Sequence, residues 1–92
     1  MPRPRMLRRI CCCQKANYYK PAGMPSSSIE EVFLRADELE ALRLCDAEGL
    51  SQEDAAKKMK VSQPTLSRAL SLGRQKVAKA ISQGHAIKIE KI

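Results

Sequence analysis

Two serines set the strongest limit on what this chain can fold into. Ser51 is followed three residues later by Asp54, and Ser62 is followed at once by Gln63-Pro64. A serine hydroxyl accepts hydrogen bonds from the orphan N–H groups of a helix's first turn, an acid three residues on suits the positive helix end, and a first-turn proline has no N–H to leave unsatisfied. Each serine therefore starts a helix. Ala55, Ala56 and Met59 give the first of the two a short buried face, from Gln52 to about Met59. Beyond Ser62, Leu66, Leu70, Val77 and Ile81 recur at helical spacing to about Ser82, and Gly84 is a natural stop. Only a tight turn fits between the two helices. Ala56 is small where they must cross, and Val61 is placed to plug the turn. The pattern predicts a helix-turn-helix.

A third helix precedes the pair. Asp37 is a good N-cap with Glu40 three residues on, Leu39, Leu42 and Cys45 mark one face beside Leu44, and Gly49 stops the helix. Ile29–Leu34 is rich in β-formers, and Ile87 and Ile89 alternate with Lys88 and Glu90 within Ala86–Ile92. Neither segment is long enough to stand alone. They are expected to pair as a short two-stranded sheet, within one chain or between two. Pro2, Pro4, Pro21, Pro25 and Ser26–Ser28 break regular structure near the amino end. The expected fold is mainly α: a basic Pro/Ser-containing arm over residues 1–28, then a three-helix domain over 29–92 with its helix-turn-helix core at about 51–72. Ninety-two residues leave no room for a second domain at about 100–200 residues each.

The charge is segregated. Arg3, Arg5, Arg8, Arg9, Lys15 and Lys20 give residues 1–29 a net +6; residues 30–56 are acidic at −7, and residues 57–92 return to +8. A basic arm and a basic helical half are the footprint of a polyanion binder. Gln63, Pro64, Thr65, Ser67 and Arg68 lie between buried points of the last helix and form the outward face of its first turns, the face that enters the major groove of double-stranded DNA in this motif. Gln pairs bidentately with adenine and Arg with guanine. Ser62 caps that helix, and Lys57, Lys58, Lys60, Arg74, Lys76 and Lys79 are placed to meet phosphates. Arg3 and Arg5, in Pro2-Arg3-Pro4-Arg5, suit a minor groove or a loosely attracted tail. One such surface is small, so a homodimer on two half-sites is expected, with the two strand segments as its contacts.

The residues also carry a resemblance. Met1-Pro2-Arg3-Pro4-Arg5, Arg8-Arg9-Ile10-Cys11, Lys20-Pro21-Ala22-Gly23, Asp37 to Leu44 and Glu48 to Glu53 resemble a small prokaryotic family catalogued as domain of unknown function 134 and described as DNA-binding proteins. The resemblance spans essentially the whole chain. The middle portion is similar to the fourth region of sigma factors, which reads the upstream promoter element. The resemblance implies a helix-turn-helix transcription regulator and names no target or effector. One position departs from the pattern. Such turns usually hold a left-handed Gly where this chain has Lys60, at a cost of about 1 kcal/mol, and a differently shaped turn is expected.

Other chemistries find less support. Cys11, Cys12 and Cys13 are consecutive and cannot bridge one another without strain, so reduced thiols in a cytoplasmic protein are expected. Cys11, Cys13, Cys45 and His85 are weak metal candidates, because zinc ligands usually follow a Cys-x₂₋₄-Cys spacing. No cofactor is expected. Tyr18 and Tyr19 suit either base stacking or packing of the arm, and packing is the expectation. An enzyme is not expected, since no nucleophile–base pair or glycine-rich phosphate loop is present and His85 is the single histidine. No apolar run nears the about 18 residues of a membrane span, and Ile10–Cys13 is too short for a signal core. The alternatives to DNA binding are a metal- or thiol-responsive sensor using the cysteines and a protein-interaction module on the same fold.

Overall fold

The structure, a computed structural model, describes residues 17–91. The arm residues Arg3 and Arg5, and Cys11 and Cys13, lie outside that range. The described residues are mainly helical, with three helices and a small three-stranded sheet. In chain order they are β1 (Tyr18–Tyr19), β2 (Glu31–Leu34), α1 (Ala36–Leu42), α2 (Gln52–Met59), α3 (Gln63–Gln83) and β3 (Ala86–Ile89). A 3₁₀ turn at Ser26–Ser28 precedes β2, and Arg43–Ala47 continues α1 as a wide π turn.

The sheet corrects the two-stranded expectation. β3 lies in the middle, parallel to β2 and antiparallel to β1. Lys88 stands opposite Phe33 on one side and Tyr18 on the other. Both edges of β3 are thus filled by its own chain, and the expected pairing of the two segments is intramolecular. β1 has two residues, too few for any alternation to register in sequence. Its anchor is a side chain: the Tyr18 hydroxyl donates to Glu31 Oε2 at 2.9 Å. Tyr18 thus ties this segment to β2, whereas Tyr19 is 55% exposed.

The core is aliphatic, as a chain without Trp requires. Leu44, Ala55, Ala56, Met59, Leu66, Ala69 and Leu70 form it with Ala41, and Leu42, Cys45, Leu50 and Val61 pack at its rim. Small residues let three helices close round a small volume. α3 buries Leu66, Ala69, Leu70, Gly73 and Ala80. Ile81, expected on this face, is 75 % exposed. At about 3.6 residues per turn, positions 73 and 80 return to the Leu66 side while 81 is rotated off it. Gly73 marks the crossing of α1 and α3. A Cβ there would stand 3.1 Å from Leu42 Cγ and 3.2 Å from the Glu38 carbonyl oxygen.

The start of α1 also differs from expectation. Its N-cap is Arg35, and Asp37 falls inside the first turn. Glu38 Oε1 accepts the Arg35 N–H at 3.0 Å, and Glu90 Oε1 accepts the Ala36 N–H at 2.8 Å. The orphan donors are thus met from within the helix and from beyond β3. Asp37 pairs with the Arg35 guanidinium instead, at 3.3 Å. Among the described residues no helix is long and apolar enough to cross a membrane.

Candidate nucleic-acid interface

The surface is built outward from two caps and one turn. Ser51 Oγ accepts the Asp54 N–H at 3.1 Å and starts α2. α2 ends at Lys60, which takes φ 60° and ψ 43°. This is the left-handed region, so the turn keeps the shape that Gly usually supplies, and the expected departure does not occur. The Val61 N–H then reaches back to the Ala56 carbonyl at 3.1 Å. Val61 is half-buried at the core's rim and Ala56 is buried.

Ser62 turns the chain into α3. Its Oγ accepts the Thr65 N–H at 3.2 Å, and its hydroxyl donates to Thr65 Oγ1 at 2.8 Å. Ser62 is therefore engaged as a cap. Pro64 sits in the first turn, where its missing N–H costs nothing. Leu66, Ala69 and Leu70 hold this end of α3 to the core from behind. Gln63, Pro64, Thr65, Ser67 and Arg68 are all exposed in front. The structure thus brings all five predicted residues onto the first turns of one well-anchored helix.

The basic residues divide into two groups. Lys58, Lys60, Arg68 and Lys79 are exposed and make no ion pair with a described residue. Lys57 stands 3.9 Å from Glu53, one turn back on the exposed side of α2. Arg74 and Lys76, both predicted phosphate contacts, have acid partners within the chain. Arg74 is held bidentately by Asp46, with Nε at 3.1 Å and Nη2 at 2.7 Å. Lys76 Nζ donates to the buried Glu38 at 2.7 Å. Local spacing gave no sign of either partner, because both acids lie in the first helical segment, far upstream. The Arg74 guanidinium holds the Asp46 carboxyl below its ordinary range, and Asp46 in turn raises the Arg74 pKa.

Of the metal candidates, Cys45 and His85 lie among the described residues. Burial pushes the Cys45 thiol up, with the neighbouring Asp46 charge adding to the effect. A thiol so placed stays protonated near neutrality, whereas metal binding and nucleophilic attack need the thiolate. His85 lies 3.8 Å from Glu30. Among the described residues no group of three or more His, Cys, Asp or Glu gathers to hold a metal.

Comparison with known proteins places the chain. The family described as "Protein of unknown function DUF134" matches residues 1–91. A UPF0251 protein of Moorella thermoacetica is 50% identical over 90 residues, covering 98% of this chain and 60% of the relative. A UPF0251 protein of Dehalococcoides mccartyi is 51% identical over 90 residues, covering 98% of this chain and 77% of that protein. A UPF0251 protein of Shewanella sediminis is 47% identical over 87 residues, covering 95% and 91%. The chain therefore spans about three-fifths to nine-tenths of the length of these relatives. No solved structure matches it. A match from the first residue to the last but one, with relatives near half identity over almost all of the chain, makes it a member of the DUF134 family.

Proposed function

We propose that this chain is a sequence-specific double-stranded DNA-binding protein acting in transcription regulation. α2, the Lys60–Ser62 turn and α3 serve as its helix-turn-helix. The observation that carries the proposal is the exposed face of Gln63, Pro64, Thr65, Ser67 and Arg68, backed by buried Leu66, Ala69 and Leu70 and flanked by Lys58 and Lys60, which make no ion pair with a described residue. Gln63 and Arg68 carry the donor and acceptor groups that read base edges in the major groove. These lysines neutralise phosphates and set position. The similarity of the middle portion to a promoter-reading sigma region supports the same reading. A homodimer on two half-sites belongs to the proposal; of the two strand segments expected as its contacts, β2 lies at the sheet edge and β3 in the middle, with both edges filled.

The test selects a preferred site from random duplexes and compares it with a scrambled duplex at one salt concentration. Arg68→Ala or Gln63→Ala should cost about 1–3 kcal/mol on the selected site and far less on the scrambled one. Lys79→Ala should weaken both about equally. Equal losses on both duplexes for Arg68→Ala would reduce it to a phosphate contact. The absence of any loss would remove α3 as the reading surface.

A further inference from the structure

We infer that Asp46 is a specificity-determining residue, holding Arg74 back from DNA phosphates so that α3 binds random DNA less well than its charge allows. The inference rests on the DNA-binding reading above and adds an internal competitor to it. Arg74 follows Ser67 by two helical turns and projects on the same side of α3, about 10 Å further along the axis. An unpaired arginine there would extend the basic face beyond Arg68 and add a sequence-blind phosphate contact.

Asp46 prevents that by geometry. α1 ceases its regular winding at Leu42, and the π turn Arg43–Ala47 closes with the Glu48 N–H on the Arg43 carbonyl at 2.9 Å. This wide turn carries Asp46 to α3. Its two carboxylate oxygens meet Nε and Nη2 of Arg74, the two-point match that a phosphate would otherwise receive. The arginine is 55% and the aspartate 42% exposed as side chains. The pair is therefore open to water and exchangeable, unlike the Lys76–Glu38 pair, whose carboxylate is 3% exposed. Among the described residues, Lys58, Lys60 and Arg68 have no such carboxylate partner. The acid thus falls on the one exposed arginine beyond the reading turns and spares those beside them.

The experiment measures the affinity of the full chain for a random-sequence duplex across a salt series. It compares wild type, Asp46→Asn, Arg74→Gln and the double variant, each checked for folding by circular dichroism. Asp46→Asn should tighten binding several-fold and steepen the log–log salt slope by about 0.9, one phosphate's contribution. Arg74→Gln alone should change little. In the Arg74→Gln background, Asp46→Asn should gain nothing. A gain of the same size in both backgrounds would make Asp46 a general negative charge and overturn the inference. So would a folded Asp46→Asn that binds like wild type, while leaving the DNA-binding reading intact. A wild type that binds no duplex at any salt overturns the reading itself, and this inference with it.

Discussion

Lys76 Nζ meets Glu38 Oε1 at 2.7 Å, joining the middle of α3 to the first turn of α1 through a carboxylate that is 3% exposed. Glu38 also accepts the Arg35 N–H, so one buried acid serves a tertiary ion pair and a helix start together. Such a pair contributes little net stability over an apolar one, but breaking it from one side is expensive. Lys76→Met should cost about 3 kcal/mol in urea unfolding, because the carboxylate stays buried with its main counter-charge gone. The double variant Glu38→Gln, Lys76→Met should recover much of that loss. Additive losses would mean that the two side chains act independently.

Gly73 tests the same helix crossing by shape. The Cβ position is bounded by Leu42 Cγ at 3.1 Å and the Glu38 carbonyl at 3.2 Å. Gly73→Leu should destabilise by about 1–3 kcal/mol or more, since backbone on one side cannot yield. Leu42→Ala in the same chain should return part of this. A stability equal to wild type for Gly73→Leu would show that α1 and α3 do not cross here.

The Asp46–Arg74 pair predicts a pH dependence of known sign. Arg74 lowers the Asp46 pKa in the fold below its ordinary value of 3.8. A depressed carboxyl contributes stability above its unfolded pKa and loses it as pH falls through the folded pKa. Wild type should therefore exceed Asp46→Asn in stability at about pH 6, and the two should converge below about pH 3. Both groups are exposed, so the gap should be small and shrink with added salt. A gap that widens on acidification would contradict the assigned pairing.

The parts of this fold that were legible in sequence are those set by neighbours a few residues apart. Ser51 and Ser62 start helices, and Gly84 ends one with a left-handed residue. The strand segments at both ends of the domain are found where β-formers and alternation put them. What escaped was set over distance or by single contacts. Glu90 caps α1 from the far end of the chain, which drew the helix start from Asp37 back to Arg35. Tyr18–Tyr19 became a strand because β3 had an edge to fill. Gly73 reads in sequence as a weak helix former, and only the crossing explains it. For the candidate site, exposure of Gln63, Pro64, Thr65, Ser67 and Arg68 followed from the spacing of Leu66 and Leu70. The commitment of Arg74 and Lys76 to upstream acids did not, since no local rule pairs residues so far apart.

Lys60 offers a test in which stability and binding move in opposite directions. It occupies φ 60° and ψ 43°, where a Cβ crowds the following carbonyl, and among the described residues it is the one non-glycine with positive φ. Gly reaches this conformation without that crowding, though it loses more freedom on folding. Lys60→Gly should therefore stabilise the protein by about 0.5–1 kcal/mol. Its amine makes no ion pair with a described residue, and it stands at the turn beside the α3 reading face. Under the DNA-binding reading, Lys60→Gly should weaken selected and scrambled duplexes about equally and reduce the salt slope by about 0.9. Lys60→Asn separates the two effects, because Asn tolerates the left-handed region but carries no charge. It should match Lys60→Gly in DNA binding while gaining less stability. If Lys60→Gly gains stability and keeps full affinity and slope, Lys60 does not touch phosphate. If Lys60→Gly loses stability, the left-handed turn between α2 and α3 is not the conformation that the chain adopts.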